Sequence, residues 1–131
     1  MNGVMTAPSN VRPLRPMRLL LVTDDDDFAE RIEAAAALQG LPVARASSED
    51  DLDASADASS PNVVALDART RLGRTARTAT TFATLHPSIA VVVVARNPSA
   101  RAVSGLRLVA AGNPPERLLD ELRAAHLGLT G

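Results

Sequence analysis

The chain has no lysine, cysteine, tyrosine or tryptophan, and Phe28 and Phe82 are its only phenylalanines. Without cysteine it can form no disulfide, thiolate metal site or cysteine nucleophile, and this absence suits a reducing compartment, so we expect a cytoplasmic protein. Too few aromatic rings are present to stack successive bases, which argues against a nucleic-acid partner. All 14 basic side chains are arginine, so a phosphoryl-binding site here would have to work without a lysine ammonium.

Long apolar runs are also missing. Stretches such as Ile89 to Ala95 are far shorter than the roughly 20 residues that a membrane-spanning helix needs, so we expect no membrane partner. Residues 1–16 combine proline, arginine and small polar residues without periodicity, which predicts a disordered N-terminal extension without an apolar signal core. The remaining length fits one domain, expected over residues 17–127 with a C-terminal tail at 128–131.

The charges are unevenly distributed along the chain. The net charge is only -1, yet residues 17–67 hold 12 acidic residues and 3 arginines, whereas residues 68–115 hold 7 arginines and no acidic residue. The chain therefore has an acidic half followed by a basic half.

Apolar runs and helical patterns alternate along the sequence. Phe28, Ile32, Ala35 and Ala36 recur at helical spacing until Gly40, where a helix is predicted to stop. The second helix, opening near Ser47 or Ser48, has the weakest pattern. Alternation of this kind predicts a parallel sheet with helices on both sides. The five predicted strands are Met17 to Val22, Leu41 to Ala46, Asn62 to Leu66, Ile89 to Ala95 and Leu106 to Ala111, and the clearer later helices are Leu72 to Leu85 and the one starting at Pro114.

Acidic residues follow two of these strands. Asp67 ends the run Val63 to Leu66, and the block Asp24 to Asp27 follows the first strand. The carboxyl ends of parallel strands open onto a common crevice, and carboxylates converging there would suit Mg²⁺. Aspartates also cap helices and turns for purely structural reasons, which remains an alternative for both positions.

Over roughly residues 17 to 126, the chain resembles the receiver domain of bacterial response regulators. The resemblance rests on the order and spacing of MRLLLVTDDDDFAERIEAAAALQG, PNVVALDART, HPSIAVVVV and NPPERLLDEL. It implies a flavodoxin-like three-layer α/β sandwich whose five parallel strands have the order 2-1-3-4-5. It also implies Asp67 as the phosphoacceptor, and Asp24, Asp25 and Asp67 as ligands of Mg²⁺, with Asp25 replacing an acid expected at Thr23.

The chain departs from the receiver pattern at several positions. Ala95 stands where the family has its switch Ser or Thr, Leu108 replaces an aromatic residue, and about Ala111 the phosphoryl-binding lysine is missing. Arg96 is the nearest candidate replacement for that lysine, although guanidinium and ammonium groups differ in shape and reach. The segment from Ala95 to Leu108 is shorter than in the family, so the fourth helix is expected to be short or absent. The resemblance is to an atypical, degenerate receiver.

The basic half suggests a second kind of site. Arg74 and Arg77 share a face of the third helix by their i,i+3 spacing. A solvated helical face explains them equally well, whereas an acidic partner surface, including the acidic half of a second copy, is the functional alternative. Arg74 and Arg77 are therefore the candidate partner-binding residues, and a homodimer is one form that the interaction could take.

We expect a stand-alone receiver-like protein in phosphorelay signalling, without enzymatic activity of its own, that contacts a sensor kinase or another signalling protein and is phosphorylated on Asp67 with Mg²⁺. The alternative is a phosphorylation-independent pseudo-receiver that acts as an interaction or dimerisation module. A small flavin- or nucleotide-binding enzyme on the same architecture is a third class, because fold alone does not decide function.

Overall fold

A computed structural model describes residues 16–97 and 106–130 of the chain. Strands and helices alternate, as the sequence predicts. The predicted extension lies outside the described residues except for Pro16. The fourth-helix segment of the receiver pattern falls mostly on residues 98–105, which are also outside them. The elements are β1 (Leu19–Val22), α1 (Asp26–Leu38), β2 (Val43–Ala46), α2 (Leu52–Ser59), β3 (Val63–Asp67), α3 (Leu72–Leu85), β4 (Ala90–Ala95), β5 (Arg107–Ala110) and α4 (Pro115–Thr130).

All neighbouring strands of the sheet are parallel, in the order β2-β1-β3-β4-β5. This arrangement confirms the predicted fold and strand order. Central strands of such sheets are covered on both faces, which explains why β1 and β3 are almost continuously apolar and buried. α4 continues to Thr130, past residue 127 where the domain was expected to end. Among the described residues, no helix has the length and apolarity to cross a bilayer.

Successive residues of the strands face two separate cores. Leu19 and Leu21 of β1 pack in one core with Ile32 of α1 and Leu119 of α4. Leu20 and Val22 lie on the opposite face, in the core that includes Ala56 of α2 and Phe82 of α3. The acidic α1 and the arginine-rich α3 therefore cover opposite faces of the sheet.

Local signals fix both ends of α1. The Asp25 side chain accepts a hydrogen bond from the Phe28 N–H, 3.1 Å away, and so caps the helix start. At the other end Gly40 has φ +67, a left-handed conformation that glycine adopts without steric cost. Both signals were predicted from the sequence.

The strand register brings two loops together at one edge of the sheet. Val22 of β1 lies beside Leu66 of β3, so the residues that follow them, Thr23 and Asp67, are neighbours. The strand order reverses between β1 and β3, because β2 lies on one side of β1 and β3 on the other. Open α/β sheets bind their ligands outside the carboxyl ends of the strands at such a reversal.

Candidate functional site

Asp67 is the innermost charged residue at this edge, with only 10% of its side chain exposed. Its Oδ2 accepts hydrogen bonds from the Thr23 hydroxyl and from Arg69 Nη2, each at 2.7 Å. Its Oδ1 accepts from Arg69 Nε at 2.8 Å and from the Arg69 backbone N–H at 3.1 Å. Both carboxylate oxygens are therefore held by a neighbour two residues along the chain.

Arg69 makes a compact set of contacts with residues from three elements. Besides its paired bonds to Asp67, its Nη2 lies 2.9 Å from Asp25 Oδ2. Its guanidinium carbon lies 4.3 Å from the centre of the Phe28 ring, a cation–π distance. The Arg69 carbonyl accepts a hydrogen bond from Arg96 Nε at 3.0 Å. One guanidinium therefore joins the acidic residues after β1 and β3.

Thr23 completes the link between the two acidic side chains. It is buried, and its hydroxyl donates to Asp67 while accepting the Asp25 N–H at 3.1 Å. A carboxylate at this position would add negative charge beside Asp67, whereas the hydroxyl supplies a donor. Thr23 therefore fits a pocket in which a single guanidinium already faces two carboxylates.

Asp24 lines the same cavity as Asp67 but is bound to a different loop. Its carboxylate accepts the Ser48 N–H at 2.8 Å and also the Ser48 hydroxyl, so it ties the loop after β1 to the loop after β2. The sequence indicated that acidic residues after the first strand would converge on Asp67. The structure brings Asp25 there, through Arg69, and places Asp24 on Ser48.

These contacts favour the charged forms of the site. Burial raises the pKa of Asp67, but the hydrogen bonds from Arg69 and Thr23 outweigh it and hold the pKa below its ordinary value of 3.8. The pKa of Asp25 is lowered by the Phe28 N–H and then by Arg69. The hydrogen bond to Asp67 raises the pKa of Arg69. Asp25, Asp67 and Arg69 are thus a stable set of ions at neutral pH.

A divalent cation does not fit this arrangement of side chains. Among residues 16–97 and 106–130, no group of three or more His, Cys, Asp or Glu side chains is placed to hold a metal ion. The oxygens of Asp67 that Mg²⁺ would bind already accept the donors of Arg69, and a guanidinium next to Mg²⁺ would repel it. The predicted ligands Asp24, Asp25 and Asp67 line one cavity, but they are not placed to hold one metal ion together.

The departures from the receiver pattern lie where the sequence indicated. Ala95 ends β4 and is buried, Leu108 lies on β5, and Ala111 follows β5 against the core. None of these side chains can hydrogen-bond a phosphoryl group. Arg96 points its Nε at the Arg69 backbone, so part of its donor capacity is in use.

The remaining predicted residues lie farther out. Arg74 and Arg77 are both exposed on α3, but Arg74 lines the cavity beside Asp67 whereas Arg77 lines a separate groove near Asp53. The sequence analysis counted Arg69 only among the seven arginines of residues 68–115 and missed its role. Its only signal was an arginine two residues after Asp67 in a chain without lysine.

Comparisons with known proteins agree with the fold. No family model matches the chain, and no curated protein matches it by sequence. Among solved structures, it resembles an atypical orphan response regulator described as having a phosphorylation-independent regulatory mechanism, with 18% identity, a TM-score of 0.69, and coverage of 85% of this chain and 96% of that one.

Two further structures share the architecture. A CheY-like protein, tadZ, from Pseudomonas aeruginosa PAO1 is 16% identical, with a TM-score of 0.69 and coverage of 83% of this chain and 98% of that one. A receiver domain protein from Methanospirillum hungatei JF-1 is 14% identical, with a TM-score of 0.71 and coverage of 88% and 98%. At these identities the likeness concerns the fold. The chain has the flavodoxin-like fold of response-regulator receiver domains.

Proposed function

We propose that this protein is a receiver-like signalling module that acts through protein contact and does not depend on phosphorylation of Asp67. The observation that carries the proposal is the Arg69 guanidinium, which occupies both oxygens of Asp67 and one oxygen of Asp25. The protein would work in the cytoplasm, without enzymatic activity of its own, by contacting another signalling protein.

The geometry makes Asp67 a poor phosphoacceptor. An attacking carboxylate oxygen needs a free lone pair and a nearby cation to neutralise charge on the incoming phosphoryl group. Here the cation is already present, but its paired hydrogen bonds of 2.7 and 2.8 Å hold both oxygens. Charge-assisted paired bonds of this kind are among the stronger interactions in proteins. Phosphorylation would first have to break them.

The phosphorelay function remains the second candidate, because Asp67 ends β3 at the reversal of strand order. It requires Arg69 to swing away, Mg²⁺ to enter, and Arg96 to take over the contacts of the missing lysine. The sensor kinase is the partner that this second function would need. The structurally similar orphan regulator is described as phosphorylation-independent, which supports the first candidate without deciding between them.

The test is a two-dimensional amide NMR titration with Mg²⁺ and then beryllofluoride, a phosphoryl mimic. We expect the wild-type protein to show no saturable shift at residues 24, 25 and 67. Arg69→Gln should gain a Mg²⁺ response there, because it frees the oxygens of Asp67 and removes the repelling charge.

Arg77→Gln is the matched control, since it removes one arginine charge from α3, at a position that lines a different groove from the one that contains Asp67. It should behave like the wild type. Saturable Mg²⁺ and beryllofluoride shifts in the wild type that disappear in Asp67→Asn would overturn the proposal and establish the phosphoacceptor.

A further inference from the structure

A cavity of about 340 Å³ has Asp67 and Arg69 in its lining and extends between the loops after β1 and β2 on one side and the first turns of α3 on the other. Its apolar lining includes Val22, Leu52 and Leu66. The volume falls at the lower end of the range for small-molecule sites. The location, outside the strand ends next to the reversal of strand order, is where open α/β sheets place ligands.

One wall of this cavity is basic. Arg71 and Arg74 line it from the α3 side, and Arg96 lines it from the end of β4. Within the described part of the chain, no carboxylate forms an ion pair with Arg71 or Arg74, although other arginines such as Arg45 and Arg69 do have such partners. Guanidinium groups without a carboxylate partner are well suited to a phosphate, which they can bind through paired hydrogen bonds.

The part of the lining that comes from the loops after β1 and β2 carries acceptors. Asp24 and Asp50 line it, each bound to a serine of the loop after β2: Asp24 accepts the Ser48 N–H and hydroxyl, and Asp50 accepts the Ser47 N–H at 2.8 Å. Carboxylate oxygens that can accept further hydrogen bonds attract amino or imino donors and repel phosphate groups. A ligand of this cavity would therefore be anionic at one end and rich in N–H donors at the other.

We propose that this cavity binds a nucleoside monophosphate, with the phosphate against Arg71 and Arg74 and the base toward Asp24 and Asp50. The apolar lining accommodates the uncharged middle of such a molecule. The phosphate would not lie on Asp67, because that carboxylate is negative and the donors of Arg69 are already committed to Asp67 and Asp25. The phosphate would thus lie in the cavity that Asp67 also lines, but on its α3 side, against Arg71 and Arg74.

This inference goes beyond the proposed signalling role and does not depend on it. Asp25, Asp67 and Arg69 line the same cavity, but the proposed nucleotide contacts are Arg71, Arg74, Asp24 and Asp50. The variants that test the two proposals therefore differ, and the two can fail separately. A protein that accepts beryllofluoride at Asp67 could still bind a nucleotide here, and a protein with a closed Asp67 pocket could fail to bind one.

The experiment titrates the isotope-labelled full chain with AMP, GMP, CMP and UMP, and in parallel with adenosine and inorganic phosphate. For at least one nucleotide we expect saturable amide shifts at residues 47, 48 and 72–78, and binding at least about tenfold tighter than either half-molecule. Arg71→Gln and Arg74→Gln should each weaken that binding by about tenfold, the scale of one charge-assisted hydrogen-bonded pair.

Arg77→Gln is the matched control, because Arg77 lies on α3, as Arg74 does, but lines a different groove. It should leave the affinity unchanged. These three arginines are exposed, so the variants should keep the wild-type fold, which circular dichroism can verify. The absence of saturable binding by all four nucleotides, or an equal loss in Arg77→Gln, would overturn the proposal.

Discussion

At the scale of the residue, Asp67 is charged in spite of its own burial. Desolvation alone would favour the protonated acid, and the paired bonds from Arg69 together with the Thr23 hydroxyl reverse that preference. The same contacts leave the carboxylate with little capacity as a nucleophile. The charged state of Asp67 and its proposed resistance to phosphorylation would therefore have one cause.

This arrangement predicts an acid-sensitive contribution to stability. The pKa of Asp67 is lower in the folded state than its ordinary value of 3.8, which we take for the unfolded chain. At a pH between the folded-state and unfolded-state pKa values, the unfolded chain therefore binds more protons than the folded protein. The contribution should be complete above pH 3.8 and lost as the pH falls through the folded-state pKa. Asp67→Asn should lower the free energy of unfolding by about 2 kcal/mol at neutral pH, where it also leaves Arg69 without its main partner.

Urea unfolding curves at several pH values would test this prediction. The wild type should lose stability steeply in acid, and Asp67→Asn should show a shallower dependence. Asp57→Asn, which removes an exposed carboxylate on α2, serves as the control and should keep the wild-type slope. Parallel pH curves for the wild type and Asp67→Asn would contradict the assignment.

At the scale of the element, the strands and helices were predictable because each carries a periodic apolar pattern. The runs before Thr23 and Asp67 are buried on both faces, which requires continuous apolar sequence. The side-chain contacts of the loops carry no such pattern. The contact of Arg69 with Asp67 depends on the path of a single turn. The contact of Asp24 with Ser48 depends on a loop 24 residues farther along the chain. The sequence therefore predicted where the acidic residues lie, but the side chains that they contact became clear only from the structure.

The end of α1 gives a prediction for a single element. Gly40 has φ +67, where an L-residue is strained, and a Cβ added there would meet nothing within 4 Å. Gly40→Ala should therefore destabilise the protein through the backbone alone, by about 1 kcal/mol. Gly112→Ala is the matched control, since that position has equal space and no positive φ. Equal urea midpoints for the two variants would show that the turn after α1 relaxes without cost.

At the scale of the whole molecule, two oppositely charged helices lie on opposite faces of the sheet, although the acidic α2 shares the face of α3. α1 carries Asp26, Asp27, Glu30 and Glu33 and packs on one face of the sheet, whereas α3 carries only arginine as its charged residue and packs on the other. Contact between the α3 arginines of one copy and the acidic α1 of the next would use a different face of each copy. Such heterologous contacts do not close into a two-fold dimer.

We therefore expect self-association through these faces to be open-ended and sensitive to salt. In sedimentation equilibrium at about 0.05 M salt, the average mass should rise past that of a dimer with increasing concentration, and it should fall toward the monomer at about 0.5 M salt, where surface charges are screened. Replacing Arg74 and Arg77 by glutamine should have the same effect as salt. A discrete, salt-insensitive dimer would place the interface elsewhere.

Arg69 follows Asp67 by two residues, so the charge that balances this carboxylate is tethered to it by covalent bonds. A group on a short linker has a high effective concentration that no dilution can lower. A diffusing ion, in contrast, is bound only as far as its supply in the surrounding medium permits. The charge state of this pocket is thus fixed by the polypeptide itself. A cell could therefore change the number of such pockets only by changing the amount of protein, through its synthesis and degradation.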